Sequence, residues 1–441
     1  MTADRRFATR ADLVIVGAGL AGSAAAWAAA RRGLDVVVLE AFEPGHRNGS
    51  SHGSARIFRR VYADPLYVRM TGRAGDLWRR LEDESGQRLV TLTGGLDFGP
   101  VRDPGYLYQV LAGCGVTAEL VQPDEAARRW PGFRFGDGPV LYHPQAGVLD
   151  PDRAIAAMLD GAAARGAAVH FGTPVTGVGR SGSGGAAIRT ADREFTAPAA
   201  VIAAGAWLEP LIGGLVDLPP LIVTQEQILH LPPREPPGAP RPADHLRSPG
   251  VPRSPGVPRS PGVPRSPGLS QSADLPQSAD PAQSAATGSP WPTFIYEGEA
   301  ACFYGLPGGR DAGVPGAVKI GEHHAGKRVT AATRDFALDP VRASRILAFA
   351  ADHLPGLDNS NKRAEDTCLY TTTGNEDFIL DRHGPFVIAS ACSGHGAKFA
   401  PLLGEIIADL AQGRPPEDPR FTLAAHHEAA RSEAARRRGH A

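Results

Sequence analysis

Between Leu13 and Glu40 the chain carries a pattern that few folds satisfy. Leu13-Val14-Ile15-Val16 is a short β-branched run, fit for a buried parallel strand. Gly17-Ala18-Gly19-Leu20-Ala21-Gly22 breaks it, and Ala-rich helix-forming sequence follows to about Arg32, where Gly33 ends the helix. A second buried strand, Asp35 to Glu40, completes a βαβ unit. The three glycines differ in what they allow. Gly17 permits the tight turn, Gly19 lets the backbone approach a pyrophosphate, and Gly22 permits close helix–strand packing. The free N–H groups and positive dipole end of the helix then face the phosphates. Glu40 stands where a carboxylate binds ribose hydroxyls. The spacing alone is a weak signal, but strand, turn, helix, strand and acid in this order predict dinucleotide binding.

FAD and NAD(P) are both compatible with that unit. A second strand-to-glycine turn, Val201-Ile202-Ala203-Ala204-Gly205, resembles the second nucleotide-domain strand of FAD oxidoreductases, and it also fits any strand-to-helix turn. With 441 residues the chain calls for two domains, or one interrupted by another. A formal net charge of −1 argues against nucleic acid or an anionic membrane as partner. Cys114, Cys302, Cys368 and Cys392 are widely spaced, with no zinc pattern, so no metal is expected and the chain reads as reduced and cytoplasmic. The Arg-rich stretch Met1 to Arg10 lacks the apolar core of a signal peptide, and no apolar run is long enough to span a membrane.

Helices are predicted over Pro65–Glu84, Pro151–Gly166, Pro340–His353 and Leu402–Ala411, with a frayed helix after Ala424. Leu89–Pro100 reads as a strand pair turning at Gly94-Gly95, and Phe294–Tyr296 with Ala301–Gly305 as a hairpin. Further strands are expected at Ala168–Phe171, Ala186–Arg189, Leu221–Leu231, Val318–Gly321 and Phe386–Ser390. Residues 232–290 differ in kind: Arg-Ser-Pro-Gly recurs from Arg247, Arg253, Arg259 and Arg265 with a period of six. Proline at that density removes backbone donors, and the segment reads as a disordered insertion, with a polyproline ligand as the other reading.

Three segments carry candidate chemistry. Ser50 to Arg60 is polar, basic and glycine-containing; from composition alone it reads as a solvated loop. Cys368, taken alone, reads as a small buried hydrophobe. Cys392-Ser393-Gly394-His395-Gly396-Ala397-Lys398-Phe399 sets glycines and a lysine just before a helix, which suits an anionic group or the electron-rich end of a flavin.

Taken together, the GAGLAGS turn, NGSSHGSARIFRRVY, RRWPGF, VLYHPQAGVLD, VIAAGAW, VKIGEHH, CLYTTT and SGHGAKFAPLLGE resemble the monomeric sarcosine oxidase and N-methyltryptophan oxidase family of FAD-dependent amine oxidases. The likeness spans nearly the whole chain outside the Pro-rich insertion and the tail. It implies an α/β fold: a Rossmann-like FAD domain from 10–85, 145–215 and 332–425, and an interleaved α+β substrate domain from 86–144 and 216–331. The insertion would be 232–290 and the tail 426–441. Position by position, Cys368 matches a cysteine that joins the flavin 8α-methyl through a thioether, and Lys319 a lysine that activates oxygen. Arg59 and Lys398 match a pair that clamps the substrate carboxylate; His52 and Arg56 lie near the flavin; Tyr304, Tyr370 and His323 match substrate-pocket positions. The cofactor set implied is Gly17, Gly19, Gly22, Glu40, Ser51, His52, Arg56, Gly205, Cys368, Gly394, Gly396 and Lys398, and the catalytic set Lys319, His52, Arg56, Tyr304 and Tyr370.

The reaction implied is oxidation of an N-methyl amino acid to an imine, with O2 reduced to H2O2 and the imine hydrolysed to formaldehyde and the primary amino acid. The enzyme would be a cytoplasmic monomer whose partners are a small amino acid and O2. The rival readings are an oxidase of a cyclic imino acid such as pipecolate, an amine dehydrogenase serving a carrier, and a flavin-binding protein without turnover. Two features depart from the family: the insertion, and Thr224-Gln225-Glu226-Gln227 where many relatives carry a basic residue. Both bear on substrate choice.

Overall fold

The computed structural model describes residues 9–234, 291–360 and 364–439, with side chains to 432. The repeats of the Pro-rich insertion therefore lie outside the described residues. Two large sheets organise what is described. In the first, six strands run in the order Ile379–His383, Phe386–Ser390, Ala199–Ile202, Leu13–Val16, Val36–Leu39, Ala168–His170. All neighbours are parallel except the first two strands, which are antiparallel. Leu13–Val16 and Val36–Leu39 are buried on both faces, which is why they read as unbroken apolar runs.

One face of this sheet is covered by helices Leu20–Arg31, Pro151–Ala163 and Ala400–Ala411. The other carries a three-stranded antiparallel layer, Gly177–Arg180, Ala186–Arg189 and Glu194–Ala197. Helix Leu20–Arg31 is mostly alanine because it is wedged between its two neighbours and is buried almost all round. Gly404 on the Ala400–Ala411 helix lies directly on the Ala24 carbonyl, where a Cβ would overlap backbone atoms.

The second sheet has nine strands among the described residues. Strand Ile222–Leu231 is its hub, pairing antiparallel with Glu365–Thr372 on one edge and with Val318–Glu322 and Lys327–Arg328 on the other. Alternation along the hub divides the faces. Leu229 and Leu231, with Val318 and Ile320, pack against Ile346 and Phe349 of helix Pro340–His353. The opposite face presents Thr224, Glu226 and His230, with cross-strand partners Tyr370, Cys368 and Lys319 respectively.

Two expectations need correction. Val90–Leu92 and Gly95–Phe98 do not form a hairpin at Gly94-Gly95: the first joins a small sheet with Gly147–Leu149 and Arg56–Phe58, the second pairs with Thr293–Glu297 and Val140–His143 in the large sheet. Gly94, at φ +73°, turns the chain between sheets instead. Helix Pro340–His353, expected among the cofactor-domain residues 332–425, packs on the large sheet, and Glu365–Thr372 is a strand of that sheet. The hairpin from Thr293–Glu297 to Cys302–Pro307 is present, and Leu423–Gly439 is helical.

The Gly404 contact leaves no room for a methyl group. Gly404→Ala is expected to destabilise the fold by about 1–3 kcal/mol, the usual cost of overpacking, read as a lower denaturant midpoint at unchanged slope. An unchanged midpoint would show that the two helices can separate at no cost.

Candidate functional site

Strands Leu13–Val16, Val36–Leu39 and Ala199–Ile202 all end at one cavity of about 820 Å3, which reaches across to Cys368 and Tyr370 on the large sheet. A site at the carboxyl ends of parallel strands is where such sheets bind ligands.

At the near end, Gly17 has φ +96°, and a Cβ there would sit 2.6 Å from the Ala203 carbonyl oxygen. A Cβ on Gly22 would overlap the Gly17 carbonyl, and one on Gly19 would come 3.0 Å from Ser51 Oγ. Helix Leu20–Arg31 has no side-chain cap at Gly19 and no acid in its first turn. Its Leu20 N–H donates to Ser51 Oγ at 3.1 Å. Glu40 is buried; its carboxylate accepts from Ala18 N at 2.7 Å and Phe42 N at 3.1 Å. Phe42, His46 and Trp207 form an aromatic rim beside it, with the His46 and Trp207 rings 4.8 and 5.5 Å from that of Phe42.

At the far end, Arg56 is held by the carbonyls of Ser50, His52 and Ala55 from its own loop. The His52 imidazole is buried, and its Nε2 has no partner among the described residues. Burial first, then Arg56, pushes its pKa down to about 3, with Asp366 opposing, so it is neutral. Lys319 donates to the Ala55 carbonyl at 3.2 Å. Burial, and then Arg56, lowers its pKa to about 8. Burial likewise raises the Cys368 thiol, while Arg56 and Lys319 act against that rise.

Beyond Tyr370 lies a second cluster. Tyr304 and Tyr370 are enclosed here, and burial raises the pKa of both. His323 meets both rings edge-on, at 5.7 Å from Tyr370 and 6.4 Å from Tyr304. Burial, His324, Arg59, His395 and Lys398 hold its pKa down at about 2. Gly394 makes this packing possible: a Cβ there would fall 2.5 Å from Tyr370 Cε2 and 2.9 Å from His323 Cε1. Lys398 is buried, donating to the His395 carbonyl at 2.6 Å and to the Tyr62 hydroxyl at 3.0 Å. The Arg59 guanidinium lies 4.7 Å from the centre of the same Tyr62 ring and donates to the Val61 carbonyl. Neither cation pairs with a carboxylate among the described residues. Burial and Arg59 hold the Lys398 ammonium well below its ordinary pKa. Two cations without a counter-ion suit an anionic ligand.

Of the residues singled out from sequence, Gly17, Gly19, Glu40, Ser51, His52, Arg56, Gly205, Cys368, Tyr370, Gly394 and Gly396 line the cavity. Gly22 supports the turn from behind. Lys319, Tyr304, His323, Arg59 and Lys398 stand in the layer around it. The segment Ser50–Arg60, which composition casts as a solvated loop, is a wall of the cavity instead. Sequence reasoning misses Tyr62, since only the fold brings it to Lys398. It also misses Phe42 and Trp207, because isolated aromatics carry no sequence signal.

Residues 12–410 match the family described as FAD dependent oxidoreductase. The chain belongs to this family. It is 30% identical to the monomeric sarcosine oxidase of Bacillus sp. (strain B-0618) over 91% of this chain and 92% of that one. It is 31% identical to the monomeric sarcosine oxidase of Streptomyces avermitilis (91% and 93%) and 26% to the N-methyl-L-tryptophan oxidase of Yersinia pestis (92% and 95%). Its fold is shared with NikD, an unusual amino acid oxidase essential for nikkomycin biosynthesis, at TM-score 0.72 and 24% identity, covering 94% and 98% of the chains. L-proline dehydrogenase from P. horikoshii matches at TM-score 0.72 and 18% identity, covering 95% and 98%. The chain is thus an FAD-dependent oxidoreductase. The residues present fit FAD: the close glycine turn at the helix N-terminus would receive the pyrophosphate, Glu40 the ribose and the aromatic rim the adenine, while His52, Arg56 and Cys368 would stand at the ring end. Among the described residues no helix is long and apolar enough to cross a membrane, and no cluster of side chains could hold a metal ion.

His52, His143 and His230 are all buried, with pKa values pushed down by burial to about 3, 3 and 4. The unfolded chain takes up these protons below pH 6.5, and the folded chain does not until far lower pH. Stability is therefore expected to fall as pH drops from about 6.5 to 5, by ~1.4 kcal/mol per unit for each histidine. Urea unfolding at stepped pH checks this, and His143→Gln should lower the slope by one proton. A slope unaffected by that change would contradict the assignment.

Proposed function

We propose that the chain oxidises an N-methyl or other secondary amino acid at its C–N bond, passing the electrons to O2. The imine is hydrolysed to formaldehyde and the primary amino acid, and H2O2 is released. The observation that carries this reading is the pair Arg59 and Lys398, two cations lacking a carboxylate partner among the described residues, both set against the Tyr62 ring. Such a pair selects a substrate with a carboxylate. The relatives named for sarcosine and N-methyl-L-tryptophan both act on amino acids whose nitrogen bears a methyl group.

Bound FAD supplies the two-electron acceptor. The protein's share is placement. Arg59 and Lys398 fix the carboxylate, which turns the amine toward Tyr304, Tyr370 and His323. Those three groups are neutral, so they can accept or donate a hydrogen bond without adding charge. The neighbouring cations and partial desolvation lower the substrate ammonium pKa, leaving the lone pair free to react. Cys368 would hold the cofactor through a thioether. Lys319 is the enclosed cation that stabilises negative charge developing on O2. The enzyme acts as a monomer on a small substrate.

Formaldehyde and peroxide decide the matter. Incubation with N-methyl amino acids in air is expected to give one formaldehyde and one H2O2 per substrate consumed. Peroxide without formaldehyde would move the assignment to a cyclic imino acid, and neither product, with flavin bleaching intact, to a dehydrogenase.

A further inference from the structure

A second cavity, of about 350 Å3, abuts the first, sharing Gly45, His52 and Asp152 with it. Its walls are polar: Arg47, Asp311, Glu365 and Asp366 line it, and so does His230. Asp152 accepts from the Gly53 N–H at 2.9 Å, and Asp311 pairs with the Ser54 hydroxyl. His230 is 2% exposed, and neither of its ring nitrogens has a partner among the described residues. A buried imidazole left unsatisfied at both nitrogens costs stability, so an aqueous or ligand partner is called for. The volume holds on the order of ten waters at roughly 30 Å3 each.

The location of His230 gives the cavity its meaning. It is the cross-strand partner of Lys319, on the same face of the sheet. Directly opposed side chains on one face lie close enough to interact. Lys319, the strand's enclosed cation, donates to the carbonyl of Ala55, the residue before Arg56 of the first cavity, and stands across the strands from His230, which lines the second.

We infer that the second cavity is a water-filled proton conduit to Lys319, with His230 as the relay between them. This rests on the oxidase reading above. O2 takes two electrons and two protons to become H2O2. The substrate C–H bond supplies both electrons and one proton, as a hydride equivalent. The second proton leaves the Lys319 ammonium, whose neutral Nζ then takes a proton from the His230 imidazole. A neutral imidazole carries one N–H and one free lone pair, so it hands a proton on from one nitrogen while taking one from cavity water at the other. The carboxylates of Asp311 and Asp366 hold the water toward the open side. His230 is thus a positioning residue that acts through Lys319.

The test separates the two half-reactions. Holoenzyme is reduced with substrate under anaerobic conditions, then mixed rapidly with O2, for the unsubstituted protein, His230→Gln and Lys319→Met. His230→Gln is expected to bleach its flavin at the normal rate but reoxidise about ten- to a hundredfold more slowly, with a solvent deuterium isotope effect the unsubstituted enzyme lacks. Added imidazole should restore part of the rate. A high-resolution crystal structure of the unsubstituted protein, which does not depend on any variant folding, should show ordered water linking His230 to the cavity. Reoxidation of His230→Gln at the normal rate, or a dry cavity, overturns the relay while leaving the oxidase reading intact. Unsubstituted enzyme that fails to reduce O2 overturns both.

Discussion

The pairing of strand Ile222–Leu231 with its neighbours is the constraint from which the site follows. Because side chains alternate, fixing Glu226 opposite Cys368 and His230 opposite Lys319 also fixes Leu229 and Leu231 on the other side, against helix Pro340–His353. A one-residue slip of this strand would exchange its faces, sending Glu226 and His230 toward the helix and Leu229 and Leu231 toward the cofactor cavity, out of reach of Cys368 and Lys319. The apolar packing behind the sheet therefore enforces the polar geometry in front of it. The glycine turn supplies the opposing wall, since Gly17 and Gly22 let the helix start close enough to the strands for its amides to face the cavity.

Electrostatics divides that cavity into regions. Near the glycine turn, the buried negative charge is Glu40, tied to two backbone amides. At the Tyr62 ring, Arg59 and Lys398 are enclosed with no carboxylate partner among the described residues. Enclosed positive charge without counter-ions is costly for the empty protein and favourable once an anionic group binds. On the proposed function, the free energy so held would orient a small carboxylate substrate, whose own bulk offers little to grip.

Much of this is legible in sequence because it is local. The βαβ unit from Leu13 to Glu40 shows its strand, turn and helix within a short span, and its glycine positions are sterically required. What is not legible depends on long-range pairing. Gly94-Gly95 reads as a hairpin turn, but Gly95–Phe98 finds its partner in Thr293–Glu297, across the insertion. Helix Pro340–His353 announces an apolar face without saying which sheet it will cover. Tyr62 and Lys398 meet 336 residues apart, and the orphaned His230 becomes notable only beside a cavity that several separate segments build. The residues that carry the family resemblance, far apart in sequence, are brought near one another by the fold.

The attachment of FAD to Cys368 is the most direct test, because it requires the cavity, the sheet register and the family likeness to hold together. Purified protein is precipitated with acid, and flavin absorbance is read in pellet and supernatant. The flavin is expected to stay with the pellet, and digestion to give a flavin-bearing peptide containing Cys368. Flavin recovered in the supernatant would contradict the thioether and leave Cys368 as an ordinary buried thiol.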